Sequence, residues 1–148
     1  MRSATIAVCL VLCATCARAG IVTSCSEPEG YAYYEKGPFV SKSKAGWVPD
    51  RITGGRYILT REGDELDIIY VDAAKRTVSS REDGGKVILV TDKPGTLVLI
   101  VNYPEMTIET WVFKIDRDGK GTVMVSMHRY GDSAMIKRTL VMRAPCAK

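Results

Sequence analysis

Residues 96–115, TLVLIVNYPEMTIETWVFKI, hold two runs of Val, Ile, Leu and aromatic side chains parted only by Tyr103-Pro104-Glu105-Met106. Branched and aromatic residues are crowded in a helix and fit a pleated strand, and a proline at the second position of a four-residue turn arrives with φ already set. The stretch therefore reads as a β-hairpin whose two arms belong mid-sheet.

The chain on either side repeats this pattern. Strands are expected over 56–61 and 65–72, joined at Glu62-Gly63-Asp64, and over 74–81 and 86–91, joined at Asp83-Gly84-Gly85. After Lys93-Pro94-Gly95 come 96–103 and 107–115; Asp118-Gly119 leads into 122–130, and 131–134 into 135–143. Gly, Asp and Pro stand at each break because tight turns need positive or fixed φ. No stretch is long enough for a βαβ crossover, so the sheet is antiparallel. The expected fold is all-β: a meander of about eight strands forming a small up-and-down barrel, with a two-layer β-sandwich as the alternative.

Residues 20–54 are the least regular part. They carry Tyr31, Tyr33, Tyr34, Phe39 and Trp47 among prolines and glycines, with no helical period. They read as an extended aromatic arm with one short strand at 31–34, packed over the β domain of residues 55–148. Residues 1–19 have the layout of a secretory signal peptide: Met1-Arg2, an apolar run, and Ala17-Arg18-Ala19 before Gly20. That run is too short to span a bilayer, and no later run approaches the necessary length, so no membrane span is expected in the mature chain. The implied location is the periplasm or the extracellular space.

Of the five cysteines, Cys9, Cys13 and Cys16 fall in the leader. Cys25 and Cys146 remain, and an even pair in an exported protein reads as a disulfide. Arg2 and Arg18 also belong to the leader, so the formal charge of +4 falls by two. The remaining basic residues are scattered, which argues against a nucleic-acid partner.

Catalytic signatures are lacking. His128 is the only histidine, and Ser126 or Ser133 with Asp132 or Asp116 supplies no nucleophile elbow around it. A zinc site lacks ligands once the cysteines pair. The loop at Asp116 has neither the third oxygen ligand nor the closing Glu of a calcium loop, so no cofactor or metal is expected. Asp64, Glu65, Asp67 and Asp72 do not single out a glycosidase pair.

Counting back from Asp118-Gly119 as a two-residue turn sets Trp111 against Ser126 and Glu109 against His128. The Pro104-Glu105 turn, counted the same way, sets Ile100 against Glu109. Asn102, Glu109, Trp111, Ser126 and His128 then share one polar end of the sheet. Glu109 and His128, directly opposed, lie within bonding reach of a carboxylate–imidazolium pair, since cross-strand Cβ atoms are roughly 4.5–5.5 Å apart. Those five residues are the expected ligand-binding set. Both faces are apolar at mid-sheet, and the aromatic arm is the expected cover for one of them, with a subunit interface as the alternative.

With its leader, Gly54-Gly55-Arg56-Tyr57, the segment from Tyr103 to Phe113 and the closing Arg143-Ala144-Pro145-Cys146, the chain resembles small exported proteins of unknown function from Gram-negative bacteria. In architecture it is similar to calycin-type barrels, the lipocalin-like carriers and periplasmic lysozyme inhibitors. It departs from both: Gly46 and Trp47 are adjacent where lipocalins have Gly-x-Trp, and the inhibitors' Ser-rich loop is missing. The functional expectation is a non-catalytic module binding a small apolar or amphipathic ligand or an envelope partner. A structural or inhibitory envelope protein comes second, and a hydrolase last.

Overall fold

The computed structural model describes residues 20–148. The signal-peptide reading lies outside that range. Eleven strands and no helix make up the described chain: β1 Gly20–Ser26, β2 Glu29–Tyr34, β3 Gly46–Arg51, β4 Arg56–Glu62, β5 Glu65–Val71, β6 Thr77–Ser79, β7 Lys86–Lys93, β8 Thr96–Tyr103, β9 Thr107–Ile115, β10 Gly121–Arg129 and β11 Arg138–Ala147. The protein is all-β and antiparallel. Nine strands run in the order β6-β5-β4-β1-β11-β10-β9-β8-β7 and curl into a half-barrel. Of the two arrangements open to a meander, the sheet takes the barrel-like one. It stops short of closure, because β6 and β7 are both edges.

The turns expected at Gly63, Asp83-Gly84-Gly85, Gly95, Pro104 and Gly119 are all present. Residues 20–54 correct the arm reading, since they form three strands. β1 inserts between β4 and β11, and β2 pairs with β11 and carries β3 at its edge. β11 thus serves two neighbours in succession: residues 138–143 pair with β2, and Cys146 and Ala147 pair with β1. This segment lacks a sequence period because neither β2 nor β3 buries a full face. The aromatics do not cover a sheet face either: Tyr31, Phe39 and Trp47 are 59%, 66% and 60% exposed.

Cys25 and Cys146 are direct cross-strand partners in β1 and β11, and they form the disulfide. The bond joins chain segments 121 residues apart at the junction of the two halves of the sheet. Such a bond is consistent with folding in an oxidising compartment.

The core fills the concave face. Each row crosses several strands: Leu97–Phe113–Val123–Ala144, then Leu99–Trp111–Val125–Met142, then Val101–Glu109–Met127–Leu140. Nearly all these side chains are buried. Leu59 and Ile68, on β4 and β5, close the same interior.

Both turns flanking β9 are longer than two residues, and this corrects the register. Tyr103 pairs with Thr107 around a three-residue loop. There Pro104 precedes Glu105 at φ 60°, the backbone sign a type II turn needs at its third position. At the other end Ile115 pairs with Gly121. The Asp116 carboxylate accepts from the backbone N–H groups of Asp118 and Lys120, each at 2.9 Å, and holds a five-residue turn. Gly119, at φ 75°, packs so closely on β1 that a Cβ would lie 2.6 Å from the Val22 carbonyl oxygen. Glu109 therefore faces Met127 and Val101, not His128 and Ile100, and Trp111 faces Val125, not Ser126.

Candidate functional site

The interior rows end in a polar layer at the rim where β8 meets β9. A cavity of about 240 Å³ lies there. Its walls are Trp111, Tyr57, Tyr70 and Tyr103 with Val125, Met127 and Leu140, and its polar groups are Glu109, Asp83, Thr107, Arg129 and Arg138. Every strand that reaches it points its alternate residues inward, so the site follows from the same period of two that builds the core.

Trp111 is fully buried at the centre of the aromatic wall. Tyr57 stands edge-on to it at a ring-centroid distance of 4.9 Å, and Tyr70 meets it at 5.6 Å. Tyr57 and Tyr70 are themselves cross-strand partners in β4 and β5. Edge-to-face pairs in this range exceed their area burial by about 0.5–1.5 kcal/mol. The wall is therefore rigid, and its hydroxyls are held in place: Tyr57 donates to the Met142 sulfur at 3.3 Å, and Tyr70 donates to Glu109.

Glu109 is only 5% exposed. Its Oε2 accepts hydrogen bonds from the Tyr70 hydroxyl and from Trp111 Nε1, the latter at 3.0 Å. Burial pushes its pKa above the ordinary value, with the two hydrogen bonds and the charges of Arg129 and Arg138 opposing. Burial also raises Tyr57, Tyr70 and Tyr103, and the Glu109 carboxylate adds to each shift. The tyrosines are therefore neutral donors at physiological pH.

Arg129 and Arg138 are direct cross-strand partners on β10 and β11. Like charges in that position oppose each other. The Nε atom of each is buried without a hydrogen-bond partner among the described residues. The ion pairs of the described residues, such as Arg61–Asp92 and Arg51–Glu27, are formed by other side chains at the surface.

Of the five sequence-derived ligand residues, Glu109 and Trp111 meet in this cavity. Asn102, Ser126 and His128 lie on strand positions that alternate with the inward rows, on the convex face. His128 pairs with Ile108 and Thr139, and its Nδ1 lies 3.0 Å from Thr139 Oγ1. Sequence reasoning missed Tyr57, Tyr70, Tyr103, Arg129 and Arg138. Arg129, two residues after Met127, and Arg138, two before Leu140, each continue the inward alternation of an apolar strand, and that was the available signal. Tyr57 and Tyr70 come from the far half of the sheet, which no local turn count can align. Among the described residues no group of three or more His, Cys, Asp or Glu side chains could hold a metal ion.

No family model matches the chain, and no curated protein or solved structure is significantly similar to it.

Proposed function

We propose that this is an exported binding module whose half-barrel holds a small amphipathic ligand at the Glu109 end. The observation that carries the reading is the cavity: an aromatic and aliphatic wall converging on a buried carboxylate. Few polar groups set into a mostly apolar concavity is the usual make-up of a ligand site. Size restricts the occupant. A cavity of roughly 150 Å³ holds benzene, so 240 Å³ suits one ring, or a short chain, with a polar head. The disulfide supports export, and residues 1–19 supply the signal peptide of this reading.

Native mass spectrometry of the protein isolated from its own compartment tests the proposal. A small bound mass is expected on the wild type and missing from Val125→Phe, which fills the cavity. A wild-type protein that is empty in every preparation overturns it.

A second reading, contact with an envelope protein, is favoured by Tyr31, Tyr33 and Trp47. They are 59%, 38% and 60% exposed on neighbouring strands, with the Tyr33 and Trp47 rings 5.6 Å apart. Crosslinking from position 31 in the native envelope should then trap one defined protein, and a ladder of unrelated products would refute it.

A further inference from the structure

We infer that the head group of the ligand is a carboxylate, received between Arg129 and Arg138. The inference rests on the binding role proposed above for the same cavity and adds the chemical class of its occupant.

Three observations carry it. First, two guanidinium groups stand side by side on adjacent strands at the inner rim. An apolar sheet gains nothing from placing two like charges opposite each other, and this pairing destabilises the empty protein. Second, each Nε atom is buried and lacks a partner among the described residues. A buried donor without an acceptor loses its hydration and regains nothing, so a rotation that turns either guanidinium toward an acceptor in the cavity recovers that loss. Third, Glu109 does not meet this need. It forms no ion pair with either arginine, and its Oε2 is already engaged by Tyr70 and Trp111.

The shape of the site selects among anions. A carboxylate offers two coplanar oxygens, which suit N–H donors of arginine in fork geometry. Glu109 and Asp83 also line the cavity, so an entering carboxylate is drawn by unpartnered N–H donors and not by an excess of positive charge. Behind the head group the ligand meets aromatic faces and Met127. A single aromatic or short aliphatic carboxylic acid matches both the volume and the wall.

The test uses three probes with one ring and one linker: phenylacetate, phenylacetamide and phenethylamine. Each is titrated into the protein purified from the periplasm of an expressing host, with cavity resonances followed by NMR. Hydrogen bonds to a charged partner distinguish it from a neutral one by on the order of tenfold or more in affinity. The acid is expected to bind at least about tenfold tighter than the amide, and the amine weakest. Arg138→Gln should remove most of that preference, weakening the acid at least about tenfold more than the amide. Arg129→Gln repeats the test if the first variant does not fold.

Equal affinity for acid and amide, or tightest binding by the amine, overturns the carboxylate assignment and leaves the cavity reading standing. If none of the three probes shifts a cavity resonance, both fall together.

Discussion

The Tyr70 hydroxyl donates to the Glu109 carboxylate across the interior of the half-barrel. The two residues sit on β5 and β9, which are separated in the sheet by β4, β1, β11 and β10. The bond therefore ties the two walls of the curl together where no backbone ladder does. It also sets one oxygen of the only buried carboxylate of the described residues. Curvature of the sheet and electrostatics of the cavity are linked through this contact.

Tyr70→Phe removes one of the two hydrogen bonds to Oε2 and leaves a buried acceptor short of a partner. The expected cost is about 1–3 kcal/mol, read as a lower denaturation midpoint. Losing a donor to the charged form should also raise the Glu109 pKa further. Carbon-13 NMR titration of Glu109 in both proteins checks the direction.

The stability of the protein should depend on pH through Glu109. Its folded-state pKa is raised above the ordinary 4.5, so the folded protein holds a proton that the unfolded chain releases. Stability from this group is intact below pH 4.5 and is lost as pH climbs through the folded value. Glu109→Gln mimics the protonated form. Its advantage over the wild type should be near zero at low pH and grow across that window. Exposed carboxylates such as Asp72, held below its ordinary value by Arg76, cancel in the difference. Paired urea melts across pH give the measurement, and a pH-independent difference would contradict the prediction.

The Cys25–Cys146 disulfide closes most of the described chain into one loop. In the loop-entropy model its removal costs about 4–5 kcal/mol. Intact mass without reductant should lie two hydrogens below the reduced value. Cys25→Ala with Cys146→Ala should melt well below the wild type. Two alkylatable thiols in the native protein would refute the bond.

The β9–β10 register can be read with a metal ion. His128 is directly opposite Ile108 on the convex face, and Ile108 is 38% exposed. Ile108→His should therefore create a cross-strand pair that chelates nickel, raising the melting temperature with the logarithm of nickel concentration once it exceeds Kd. Nickel should leave Glu109→His unstabilised, because that position points into the cavity. The opposite pattern would restore the two-residue turn count.

From residue 56 onward the succession of strands was legible in the sequence, whereas two of the three strands of residues 20–54 were not. Strands over 96–103 and 107–115 carry enough Val, Ile, Leu and aromatic side chains to state their period without help, and β8 and β9 have those bounds. The disulfide needed only a count of the cysteines from Gly20 onward. The pairing of Glu109 with Trp111 on one face followed from their spacing of two. Register was not legible, because it depends on how many residues each turn consumes. Glu105 takes a positive φ without being glycine, and the Asp116 carboxylate holds a longer loop than Asp118-Gly119 alone announces. One residue of slip moves a whole strand to the other face, and it took His128, Ser126 and Asn102 out of the cavity. The position of β1 was hidden for a different reason: its neighbours β4 and β11 are remote in sequence, so only the closed packing of the sheet selects them. Local side-chain shape determined which segments are strands. The long-range fit of turns and interior decided which residues meet, and that fit brought Tyr70 to Glu109 and Arg129 beside Arg138.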